Sequence, residues 1–155
     1  MASITKRSSD ALAKRLAAIP AEIIARVQPA IVKGAQEVAE DARTLAEASR
    51  DTGSLIESIH VTPPNGTTPA HSADGGARTA GPLQALVTAG NAENRHSHLV
   101  EFPTAPHENA GQFAGTQHPG TEAQPFMLPA WRLNKARVER RIATAIGRAI
   151  RESQK

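Results

Sequence analysis

The chain has 155 residues, no cysteine and a formal net charge of +3, so disulfide frameworks, thiol chemistry and cysteine-ligated zinc are excluded. The nominal hydrophobic fraction of 39% overstates the core, because 29 residues are alanine and Leu, Ile, Val and Phe together number only another 29. That bulky share lies at the lower edge for autonomous folding, while the small net charge argues against wholesale disorder.

The expectation is one domain over residues 1–155, with a thin core completed by neighbouring subunits, as in obligate oligomers. No apolar stretch approaches the ~18 residues of a membrane span. The Lys6-Arg7 pair is followed by no apolar run of the secretory kind, so a soluble protein made in the cytoplasm is expected.

Ser9-Asp10 caps a predicted short helix running to Ile19, with Leu12, Leu16 and Ile19 on one face. Pro20 suits the first turn of a second helix reaching Ala48. Ile24, Val27, Ile31, Ala35, Val38, Ala42 and Leu45 recur there at spacings of three or four, the strongest periodicity in the chain. Pro29 interrupts this pattern and predicts a kink or a break. Gly53 then supplies a left-handed residue after the helix.

Leu55 to Val61 reads as a strand, with Glu57 spoiling the alternation near its start. From Thr62 to Pro82 the chain carries Pro63-Pro64-Asn65-Gly66, Asp74-Gly75-Gly76 and Gly81-Pro82, and predicts an exposed, mobile loop. Leu83 to Ala89 and His96 to Phe102 read as two further strands. Residues 103–123 form a second breaker-rich, mobile loop. After the apolar bridge Pro125-Phe126-Met127-Leu128, a final helix runs from Pro129 to Glu152, with Val138, Ile142, Ala145, Ile146 and Ala149 as its stripe. The predicted class is α+β: long N-terminal amphipathic helices, a small antiparallel sheet with two long loops, and a C-terminal helix.

From Arg132 to Lys155 eight basic residues stand against two acidic ones, giving +6 and leaving −3 on the rest of the chain. Most such charge runs simply solvate a face. Here they also permit attraction to the mildly acidic body of a neighbouring subunit, or non-specific contact with DNA phosphates, and Arg137, Arg140, Arg141 and Arg148 are the candidate contacts for either. The scarcity of aromatics leaves no stacking platform for single strands, and no helix-turn-helix spacing occurs.

Enzyme chemistry finds little purchase. His96 and His98 share a face of the predicted third strand, and His107 and His118 follow in the loop, but glycine- and proline-rich sequence offers nothing to fix the loop pair. There is no H-E-x-x-H pattern, no G-x-S-x-G elbow and no phosphate-cradling loop. No catalytic residue, cofactor, metal, small-molecule substrate or membrane partner is expected.

Three runs carry a resemblance. They are Asp51-Thr52-Gly53, Leu55 and Ser58-Ile59; Val100-Glu101-Phe102-Pro103-Thr104; and Gln124-Pro125-Phe126-Met127-Leu128-Pro129-Ala130. In this order, with these elements between them, the chain resembles the neck (tail-component) family of long-tailed bacteriophages, which includes relatives of the tail-completion protein Z of phage lambda. The resemblance spans Leu12 to Ser153. Pro103 stands where the family usually has glycine, so the turn after Phe102 must differ in type.

The resemblance implies a non-enzymatic structural protein of the virion neck, assembled in the host cytoplasm. Such a protein forms a ring, commonly of six copies, that completes the tail and joins it to the head around the DNA channel. Implied neighbours are head-closure or adaptor proteins and tail terminator or tail tube proteins. The alternatives are a tail terminator and, from a different class, a non-specific DNA-binding accessory protein. A closed ring uses a heterologous interface, for which Phe102, Pro125, Phe126, Met127, Leu128 and Trp131 are the candidate anchors. Phe126 and Leu128 equally suit the core of a single chain.

Overall fold

A computed structural model describes residues 20–72, 76–95 and 97–153. The predicted helix ending at Ile19 therefore lies outside the described residues. Helix α1 spans Ala21–Ala46 and ends in a 3-10 turn, Glu47–Ser49. Pro20 stands just ahead of it, extended at ψ 137, with its carbonyl accepting from the Ile23 and Ile24 N–H groups. Val27, Gly34, Ala35, Val38, Ala39, Ala42 and Ala46 form its buried face, the 3.6-residue repeat expected from the sequence.

Pro29 does not divide α1. Its ring lies on the exposed side, as does Ala25, whose carbonyl is the one left without a helical donor. Water can serve that carbonyl, so the break that a buried proline would impose is avoided.

Gly53 takes φ +88, as its position after the helix predicted. The next four residues, Ser54–Glu57, form a helical turn, α2, and strand β1 is only His60–Thr62. The predicted strand from Leu55 is corrected accordingly. The turn buries Leu55 and sets Ser58 to donate to the Leu55 carbonyl at 2.7 Å, an arrangement that fits the Glu57 interruption. β1 pairs antiparallel with β2, Leu86–Thr88, in the register His60↔Thr88, Val61↔Val87, Thr62↔Leu86.

The segment between these strands folds back on itself. Thr67 and Thr79 bridge, Thr68 N–H donates to Arg78 O, and Ala80 exchanges bonds with Asn65 and Gly66. Thr68 and Ala80 are buried, which corrects the expectation of full exposure.

The predicted strand over 96–102 is instead a short helix, α3, at Ser97–Glu101. Leu99 and Val100 are adjacent rather than alternating, a poor strand pattern. An Asn91 side chain that accepts from the Glu93 and Asn94 N–H groups, with Ser97 Oγ bound to Ala89 O, turns the chain into the helix. Strands β3, His107–Glu108, and β4, Gln117–His118, then make a small exposed hairpin.

Helix α4, Met127–Ser153, runs antiparallel to α1. Arg26 pairs with Glu152 at one end, Glu37 with Arg141 midway, and Asp41 with Asn134 towards the other end. Small residues let the backbones approach: a Cβ on Gly34 would lie 2.8 Å from Val138 Cγ1. The core joins Val38, Ala39, Ala42 and Ala46 to Leu55, Ile59, Phe126, Ala130 and Val138. The result is an α+β fold with a long N-terminal helix, a small two-stranded antiparallel sheet and a C-terminal helix.

Candidate assembly surface and basic groove

The start of α4 is fixed by Glu101. Its Oε2 accepts from the Phe126 and Met127 N–H groups and its Oε1 from the Leu128 N–H, each at 2.9 Å. Pro129 has no N–H, and the Ala130 N–H already reaches Phe126 O. Every donor that the first turn would otherwise leave orphaned is therefore either bonded or absent. A carboxylate at a helix N-terminus is also favoured by the helix dipole.

This cap sets the rotation of the helix. Phe126, 1% exposed, fills the core of the single chain, and Met127 packs against it half-buried. Pro125 and Phe102 stay outside, Phe102 at 60%. Leu128 and Trp131 emerge on one flank of α4 at 43% and 41%. That flank continues through Ile142 and Ile146 along a groove of about 510 Å³, closed on the other side by Val27, Ile31 and Leu83.

Between the two flanks lies the seam with α1. Asn134, fully buried, donates to Asp41 Oδ2 at 2.6 Å and to Ala130 O at 2.9 Å, and its own Oδ1 accepts from Arg137. The sequence stripe began at Val138 and missed Ala130 and Asn134, although both continue its four-residue spacing. The polar identity of Asn134 concealed it.

The opposite flank of α4 is basic. Arg26, Arg137, Arg140, Arg141 and Arg148 line a groove of about 750 Å³. Two of the four candidate DNA contacts are committed internally. Arg141 makes a two-pronged pair with Glu37 at 2.9 and 2.7 Å, and Arg137 Nε lies 3.2 Å from the same carboxylate. The Arg141 hydrogen bond, aided by the charges of Arg137 and Lys33, holds the Glu37 carboxyl below its ordinary value against a smaller opposing effect of desolvation. Arg140 and Arg148 make no ion pair among the described residues.

The β3–β4 hairpin gives the loop histidines a geometry that the sequence did not suggest. His107 and His118 sit directly opposite in the ladder, with rings stacked 5.0 Å apart. His107 Nδ1 donates to Ala105 O, and His118 Nδ1 accepts from the Gly120 N–H, both at 3.0 Å. Among the described residues no three His, Asp or Glu side chains converge as a metal site, and His96 lies outside them. Phe113, in the turn of this hairpin, is 65% exposed. No helix among the described residues is long and apolar enough to cross a membrane.

No curated protein and no solved structure matches the chain. A family model described as "Bacteriophage HK97-gp10, putative tail-component" matches residues 10–102. The match covers more than half of the sequence, including the first motif run and the Val100-Glu101-Phe102 that leads to the helix cap. The chain therefore belongs to the HK97-gp10-like family of bacteriophage tail components.

Proposed function

We propose that this tail component acts as a ring of identical copies, six being the expected number, at the head–tail junction. There it completes the tail and meets a head-closure or adaptor protein on one side and a tail terminator or tail tube protein on the other. The observation that carries the reading is the exposed apolar set at the Glu101-capped end of α4. Leu128, Trp131 and the neighbouring Phe102 stand outside a core that is largely alanine. A large aromatic flanked by aliphatic residues is the composition of an interface centre. In this reading Phe126 positions the anchors from within the chain instead of serving as one.

Arg140 and Arg148 supply the side of α4 that would face passing DNA, since they make no ion pair among the described residues. Such contacts neutralise phosphates without reading sequence. Arg137 and Arg141 hold the helix pair together through Glu37 and contribute less to any external contact.

Native mass spectrometry of the purified chain tests ring formation. A closed oligomer is expected, and Leu128→Asp combined with Trp131→Asp should return it to monomer while far-UV circular dichroism stays unchanged. A wild-type chain that remains monomeric at every concentration up to the solubility limit would overturn the reading.

A further inference from the structure

The hairpin between α3 and α4 is an arm that packs on no core: none of residues 103–125 is buried. It is nonetheless built. Thr104 and Thr121 bridge at its base, and the β3–β4 ladder runs through the stacked His107 and His118. Beneath the tip the Asn109 N–H donates to Thr116 O at 2.8 Å. The tip is the 3-10 turn Gly111–Phe113, and Phe113 is 65% exposed. A two-stranded hairpin alone is marginal in water at best. An aromatic side chain covers on the order of 150–250 Å² when it is buried. A shaped hairpin that presents such a side chain at its end therefore gains most from a second surface.

We propose that the arm docks on a second copy of this chain, with Phe113 entering the apolar groove between α1 and α4 of that copy. Two observations select this pairing. The groove, about 510 Å³, has Trp131, Ile142 and Ile146 on one side, Ile31 and Leu83 on the other, and no charged residue in its lining. That is the chemistry a phenyl ring requires. The surrounding charges also agree. Residues 103–125 contain Glu108 and Glu122 and no lysine or arginine, a net charge of −2. Helix α4 carries seven basic residues and two acidic ones, a net +5, with Arg132 beside Trp131 and Lys135 one turn further on. Pairing α4 with α4 would set like charges together, whereas the arm brings the opposite sign to the basic helix.

Arm and groove are different surfaces, so the contact is heterologous and repeats from copy to copy, as a closed ring requires. The docking rests on the ring reading above and specifies which segment each copy hands to the next.

The chain has no native cysteine, so introduced thiols report on the contact. Phe113→Cys with Ile146→Cys, treated with a short bis-maleimide, should give a denaturing-gel ladder that passes the dimer and ends at the oligomer seen by native mass spectrometry. Each single variant should stay at monomer mass. Phe113→Asp should lose the oligomer while its far-UV circular dichroism matches wild type, and Phe113→Leu should keep it. If the wild type is oligomeric, an assembled Phe113→Asp or a double variant without a ladder would overturn the docking and leave the ring to another contact. An internal cross-link at monomer mass would overturn it by returning the arm to its own groove. Dimers from a single variant would overturn it by placing like surfaces together. A monomeric wild type would instead remove the ring reading, and the docking with it.

Discussion

Glu101 caps the helix that begins at Met127: its Oε2 accepts the Met127 N–H at 2.9 Å, and the same carboxylate also holds Phe126 and Leu128. Two motif runs more than twenty residues apart are thereby one structure. The glutamate of the first supplies what the proline-interrupted first turn of the second lacks. Glu101→Ala should destabilise the chain by about 2 kcal/mol, the upper end for loss of a side-chain cap. Glu101→Gln, which keeps acceptor capacity and loses the charge, should cost less. Urea unfolding followed by circular dichroism measures both. Equal stability of wild type and Glu101→Ala would remove the cap from the account.

Acid should loosen the α1–α4 pair through Glu37. Its folded value lies below the ordinary 4.5, chiefly because Arg141 donates to it. A carboxyl depressed in the folded state contributes stability that is complete above its unfolded value and is lost as pH falls through the folded one. Wild-type stability should therefore decline below about pH 4.5 more steeply than that of Arg141→Ala, in which the carboxyl returns towards its free value. Unfolding midpoints between pH 3 and pH 7 report the difference, and parallel curves would contradict it.

One change in the sheet should stabilise the protein. Thr62 is 1% exposed, and its Oγ1 has no hydrogen-bond partner among the described residues. Thr62→Val replaces that hydroxyl with a methyl of similar shape in a residue well suited to a strand. Removing an unsatisfied buried hydroxyl should raise stability by about 1 kcal/mol. A lower thermal midpoint for Thr62→Val would show that the hydroxyl serves a contact in the assembled protein or elsewhere in the chain.

The division of labour among the arginines also has a direct consequence. If Arg140 and Arg148 face DNA, replacing both with alanine should flatten the salt dependence of duplex binding by about two phosphate contacts, or roughly 1.8 in the slope of log K against log salt. Arg141→Ala should instead act mainly on stability. Fluorescence anisotropy with a duplex of arbitrary sequence at several salt concentrations separates these effects. An unchanged slope in the double variant would assign the row a solvating role.

The helical parts of this fold were legible because their apolar periodicity is long. α1 and α4 each span more than twenty residues, so a single disruptive residue such as Pro29 does not obscure the pattern. The short elements were less legible. Two runs read as strands contain helical turns, Ser54–Glu57 and Ser97–Glu101, because four or five residues carry too little periodicity to decide between the two. In each case a side chain reaching a distant backbone settles the matter. Ser58 Oγ accepts from the Gly90 N–H, and Glu101 reaches the start of α4. The rotation of α4 was not legible. The run Phe126-Met127-Leu128 suits a core or an interface equally as a sequence, and only the folded helix assigns Phe126 to the core and Leu128 to the outside. The partnership of Glu37 with Arg137 and Arg141 was not readable, because it joins residues about a hundred positions apart.

Ring closure by copies of this chain where head and tail meet is decided by cryo-electron microscopy of the intact particle. Continuous density for the α1–α4 pair is expected, repeated around the channel axis at that junction, with Trp131 buried against the next copy. A particle in which the junction lacks this chain, or in which Trp131 faces solvent in an unconnected subunit, would contradict it.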